Sequence, residues 1–178
     1  YLPKDGVFMA FDSSFAPDWP TKEIRTMLDG ALGEGQSKAI LALMSAAAPF
    51  TEHLTGRSVG TVSMTGMMGF SAVNIMEIKE GADINGALAK WDMAPVNAAM
   101  KELGIPLGFK IEKAVAMHGE TELHRMSMVT EDPNRGMVAA MTQSYYAAEG
   151  GKLVSVSSPT AEDDLRQLLD KVRKDVKT

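Results

Sequence analysis

The sequence predicts a single α+β domain over residues 1–178, with a mostly antiparallel sheet and helices packed mainly on one face. Three observations carry this expectation. Strand-length apolar runs come in pairs joined by tight-turn residues, which suit antiparallel neighbours, whereas parallel neighbours need long crossovers. Other stretches repeat their apolar residues every three or four positions, the spacing of a one-sided helix. No low-complexity segment or interdomain linker divides a length that suits one compact core. The runs amount to about six or seven strands, built largely as hairpins, and about four helices.

Gly6 to Asp12 is apolar at alternating positions on both faces, the pattern of a strand with neighbours on both sides rather than one at the rim of a sheet. Ala16 to Pro20 breaks the chain, and Ile24, Met27, Leu28 and Leu32 then define a helix that ends in the glycines between Gly30 and Gly35. A second helix follows from Ser37, with Ile40, Leu41, Met44 and Ala48 on one side, and Pro49 kinks or ends it. Val59 to Lys79 reads as two strands around Gly66-Met67-Met68-Gly69. Asp83 or Asn85 can cap a helix carrying Ile84, Leu88 and Trp91. Asp92 or Ala94 can restart it ahead of Pro95, giving Val96, Met100 and Leu103, and Gly104-Ile105-Pro106 stops it.

Phe109 to Met117 and Thr121 to Thr130 form the clearest hairpin, turning at Gly119-Glu120. Alternation puts Phe109, Ile111, Val115 and Met117 beside His124, Met126 and Met128 on a core face, with Lys110, Glu112 and His118 beside Arg125 and Ser127 on the other. A further hairpin joins Tyr145–Glu149 to Lys152–Ser157 through Gly150-Gly151. Thr160-Ala161-Glu162-Asp163 resembles a capping box with Asp in place of Glu, and Leu165, Leu168, Leu169, Val172 and Val176 mark an amphipathic last helix.

Composition narrows the function classes. Lys and Arg number 18 against 23 Asp and Glu, a net charge of −5, so no basic field favours nucleic acid or an anionic membrane. The absence of cysteine removes disulfides, thiolate nucleophiles and Cys-ligated metals. No run approaches the roughly 18 apolar residues of a spanning helix. Because the sequence starts at Tyr1 rather than Met, the expectation is a segment excised or processed from a longer precursor, periplasmic or extracellular, with a cytoplasmic location left open.

Catalytic motifs are thin. There is no G-x-S-x-G elbow, no phosphate loop of the G-x-x-x-x-G-K type and no H-E-x-x-H pair. Gly33 to Lys38 follows a helix rather than a strand, which disfavours a phosphate cradle, and Gly81 to Gly86 lacks the spacing of a calcium loop. The 14 methionines raise one metal alternative, a soft Cu(I) site drawn from Met117, His124, Met126 and Met128. Those methionines share a face with Phe109 and Ile111, so flexible core filler is the simpler account. Two adjacent methionines at a tight turn are less easily explained, because turns favour Asn, Asp and Gly.

The expected function is therefore a non-catalytic binding or assembly module of an exported bacterial protein. Its contacts are expected from Met67, Met68, Tyr145, Tyr146 and Trp91, toward a protein partner or small apolar ligand, with no cofactor and with a homo-oligomer possible. The alternatives are a small hydrolase built on His53, His118 or His124, which needs a hydroxyl or carboxylate beside the imidazole in a cleft, and the Cu(I)-handling protein.

Overall fold

The structure, a computed structural model, describes residues 7–14, 51–65, 69–130 and 143–176, together with 26–28, 30–31, 37–38, 40–42 and 45. Among the described residues seven strands form one antiparallel sheet: β1 (Val7–Ser14), β2 (Leu54–Thr65), β3 (Gly69–Ile78), β4 (Leu107–His118), β5 (Thr121–Thr130), β6 (Gln143–Glu149) and β7 (Lys152–Ser157). Their spatial order is β1-β2-β3-β7-β6-β5-β4. Three described helices accompany them: α1 (Ile84–Lys90), α2 (Ala94–Glu102) and α3 (Ala161–Val176). Residues 26–28, 30–31, 37–38 and 40–42 are also helical, within the two helices that the spacing predicts before β2.

The hairpins form where the turn residues require them. Gly150 and Gly151 take φ of 55° and 73°, so both central positions of the β6–β7 turn are left-handed, which glycine adopts without steric cost. That turn fixes the register Tyr145↔Val156, Ala147↔Val154 and Ala148↔Leu153. On one face Val73, Ile75, Val154, Val156, Ala147, Tyr145 and Leu123 form a core with Leu165, Leu168, Leu169 and Val172 of α3. On the other, Leu153, Met76, Ile78 and Ala148 pack with Leu54 and with Ile84, Ala87 and Leu88 of α1. Beside them Phe109, Ile111 and Met126 pack with Met93, Val96 and Met100 around α2. Lys38, in the helical stretch at 37–38, forms an ion pair with Glu102 at the end of α2, while α3 packs on the opposite face of the sheet.

Helix ends follow their caps. Asp83, the N-cap of α1, accepts the Gly86 amide three residues on at 2.9 Å, and Asp92, one residue before the N-cap of α2, accepts the Ala94 amide two residues on at 2.9 Å. At α3 the acidic partner is Asp164 rather than Asp163: its carboxylate accepts Ser158 at 2.6 Å and Thr160 at 2.9 Å.

Two expectations are corrected. Among the described strands β1 pairs with β2 alone and lies at the edge of the sheet, although its sequence is that of an interior one. Local alternation reports which faces are covered, and the order of strands in a sheet depends on contacts far apart in sequence. Val115 does not join the core face of β4. Between Glu112 and Ala116 the strand advances four residues while β5 advances two, and Ala114 takes φ of 49° inside this bulge, which turns Val115 out to solvent. Beyond the bulge Ala116 lies opposite Leu123 and His118 opposite Thr121, so His118 keeps its expected face, but Met117, expected in the core beside His124, pairs with Glu122 and is 50 % exposed.

Candidate functional site

The register builds a polar seam into the face that α1 and α2 cover. Across the sheet lie Gly60, Asn74, Ser155, Tyr146 and His124 in one row, and Val62, Ala72, Ser157, Ser144, Met126 and Ile111 in the next. Small hydroxyl and amide side chains thus occupy the middle of a sheet whose flanks on this face are apolar. Ser58 with Asn74, and Ser144 with Ser157 and Tyr146, are hydrogen-bonded, as polar groups withdrawn from water generally are. Ser58 donates to Asn74 Oδ1 at 2.6 Å, the Ser144 and Ser157 hydroxyls are 2.5 Å apart, and the Tyr146 phenol also bonds Ser144. Burial raises the Tyr146 phenol above its ordinary pKa, so it stays protonated and can donate.

Trp91 closes this seam at one end. It occupies the C-cap of α1, where the chain leaves the helix with ψ of 124° before α2 begins, and it packs against both apolar clusters of this face. Its ring meets that of Tyr146 edge to face, with centroids 5.1 Å apart and planes at 89°, the arrangement that aligns a ring edge with a π face. Both residues are half-buried. The pair therefore presents apolar area and a phenol at the junction of two apolar clusters and a hydroxyl chain.

His124 stands next to Tyr146 across the strand pair and is only 4 % exposed. Its Nδ1 accepts the Ala114 amide at 3.2 Å, which places the imidazole proton on Nε2 and uses the single lone pair of the neutral ring. Nε2 lies 3.9 Å from the Glu122 carboxylate. Burial lowers the His124 pKa and Lys113 adds to that, with Glu122 opposing both. Lys113, carried by the same bulge, donates to the Ala89 carbonyl near the end of α1, so the bulge ties β4 to the helix that presents Trp91.

The structure thus brings together Trp91, Tyr146, His124 and Met126, and separates them from the rest of the expected set. Tyr145 points to the α3 face, 5 % exposed, with its hydroxyl 3.5 Å from Arg125 and bonded to Glu162. Met117 is half-exposed opposite Glu122, and Met128 is half-buried opposite Phe109. Met67 and Met68 lie outside the described residues. His118 is on the α3 face, 2.7 Å from Asp170. Among the described residues no group of three or more His, Cys, Asp or Glu side chains is placed to hold a metal ion. His53 lines a separate cavity of about 410 Å³ with Ser45, Glu52, Asp83 and Lys90.

Sequence reasoning missed Ser58, Asn74, Ser144, Ser155 and Ser157. Their signal is the polar member of each alternating pair in β6 and β7, Ser144 before Tyr146 and Ser155 before Ser157, on the face opposite Val154 and Val156. Alternation alone assigns such residues to solvent, whereas Ser58 and Ser144 are buried and Asn74, Ser155 and Ser157 half-buried. No family of known sequences, no curated protein and no solved structure matches this chain.

Proposed function

We propose that this chain is a non-catalytic binding module whose ligand is a small, largely apolar molecule carrying a hydrogen-bonding group. One observation carries the reading: the half-buried Trp91–Tyr146 pair sits where two apolar clusters meet the Tyr146, Ser144 and Ser157 hydroxyls. Aromatic walls supply rigid apolar area at low entropic cost, and a few convergent polar groups set orientation. His124 supports this reading over catalysis at the same place, since its acceptor nitrogen is already engaged by Ala114.

The test is titration of the native chain with the fluorescent apolar anion 1-anilinonaphthalene-8-sulfonate, following both its emission and that of the tryptophans. The expected result is saturable binding that perturbs Trp91 and is lost in Trp91→Leu and Tyr146→Ala, with Tyr146→Phe intermediate because it keeps the ring and loses the hydroxyl. Absence of binding to the native chain, or equal binding by all variants, overturns the reading.

A hydrolase is the second reading, favoured by the cavity that gathers His53, Ser45 and Asp83. Against it, Asp83 Oδ1 already caps α1 through the Gly86 amide. Turnover of a p-nitrophenyl ester, abolished by both Ser45→Ala and His53→Gln, is the result this reading requires.

A further inference from the structure

His124 reaches the Trp91–Tyr146 pair by two routes. In the β5–β6 ladder it lies directly opposite Tyr146. Toward β4 its Nδ1 holds the Ala114 amide, and the residue before Ala114, Lys113, donates to the Ala89 carbonyl of α1, two positions before Trp91. The second route is a tether of ring, bulge, lysine and helix end. Its middle is poised to move. Ala114 sits at φ of 49°, a conformation that alanine keeps only while its surroundings impose it. Residues 113–115 are exposed, so the bulge can shift without displacing core side chains.

A proton on His124 reverses the bond that holds this bulge. The neutral imidazole has one acceptor nitrogen, Nδ1, and Ala114 uses it; the imidazolium has two N–H donors and no acceptor. Two N–H groups then face each other across 3.2 Å, at a ring only 4 % exposed. The new charge is drawn the other way, because the Glu122 carboxylate lies 3.9 Å from Nε2. Among the described residues the charges that bear on the ring are Glu122 on its own strand, which favours the proton, and Lys113 on β4, which opposes it. From β6 the ring meets the protonated Tyr146 phenol, and α1 reaches it through the Ala89 carbonyl and Lys113.

We propose that protonation of His124 releases the β4 bulge and, through Lys113 and the end of α1, moves Trp91 relative to Tyr146, so that the pair lets go of its ligand in mild acid. Ligand release rests on the reading that this pair binds a ligand; the motion of Trp91 does not. The holding form is the neutral ring, and burial keeps its pKa below 6.5, so the site is competent above about pH 6.5 and fails as the pH falls through the folded pKa. One coupled proton weakens binding by at most about tenfold per pH unit.

The experiment has two arms on the full chain carrying Trp19→Phe, which leaves Trp91 as its sole tryptophan. The first arm, without ligand, follows the His124 ring resonances and the Trp91 emission from pH 7.5 to 5, with circular dichroism confirming that the chain stays folded. If Trp19→Phe does not fold, the Trp91 indole N–H resonance of the native chain gives the same readout. The Trp91 transition is expected to share the His124 midpoint. It should vanish in His124→Gln, which keeps an acceptor for Ala114, and shrink in Lys113→Met, where His124 still titrates. In the second arm the Kd for 1-anilinonaphthalene-8-sulfonate should rise about threefold or more from pH 7.5 to 5, and stay level in His124→Gln. A ring that takes up no proton down to pH 5, Trp91 emission that ignores its titration, or a transition undiminished in either variant overturns the proposal. A dye that binds at pH 7.5 with an unchanging Kd overturns ligand release while the binding reading stands. A dye that does not bind at pH 7.5 overturns the binding reading, and the first arm alone then decides the motion.

Discussion

His124 and Ala114 are joined by a hydrogen bond in which the imidazole Nδ1 accepts the amide of a residue in left-handed conformation, across 3.2 Å. The bond explains why a bulge can sit in β4 beside a buried imidazole. The irregular backbone exposes an amide that lacks a ladder partner, and the histidine satisfies it.

It also fixes the sign of a pH dependence. Burial holds the His124 pKa below its ordinary value of 6.5, so the unfolded chain takes up this proton before the folded one does. His124 thus supports full stability above about pH 6.5, and stability falls as the pH drops from there through the folded pKa. Denaturation midpoints measured from pH 7.5 to 5 should decline in the native chain, and His124→Gln, an uncharged hydrogen-bonding replacement, should flatten that decline. The same bond predicts that Cu(I) titrated under reducing conditions leaves the His124 ring resonances unmoved.

A second set of contacts fixes α3 to the β4–β5 hairpin. Arg173 donates to the His118 carbonyl at 2.5 Å, to Thr121 Oγ1 at 2.9 Å and to Glu149 at 3.0 Å, while Arg166 donates to the Met117 carbonyl at 2.7 Å. Burial alone would raise the Glu149 carboxyl, but the Arg173 and Thr121 hydrogen bonds outweigh it and hold the pKa below the ordinary 4.5. His118 lowers Asp170 in the same way. Carboxylates depressed on folding lend stability above their unfolded pKa and lose it as the pH falls through the folded one, so this seam weakens below about pH 4.5. Arg173→Met, which keeps the aliphatic stem, should cost about 1–3 kcal/mol at pH 7 by urea denaturation. That cost should shrink toward pH 3.

The hairpins were legible in the sequence because a turn with both central residues at positive φ admits few residue types, and Gly150-Gly151 advertises it. The last helix was legible for a comparable reason, since Leu165, Leu168, Leu169 and Val172 repeat at one period and all four are buried. The β4 bulge was not, because its left-handed residue is an alanine, which carries no signal of positive φ. The Ser144–Ser157 contact was equally hidden: each serine is an ordinary polar member of an alternating strand until register sets the two side by side. Of the candidate site, Trp91 and Tyr146 could be named from residue type, but the choice between Tyr145 and Tyr146 rests on which face α3 covers.

Asn97 offers the sharpest test of how the sheet ends. Its amide mimics a short piece of strand, satisfying both backbone groups of Phe109, and Gly108 leaves the room it needs, since a β-carbon there would lie 3.1 Å from Asn97 Oδ1. Asn97→Leu keeps helix propensity and volume but strips both hydrogen bonds from a partly buried amide and carbonyl. The expected loss is about 1–3 kcal/mol in urea denaturation.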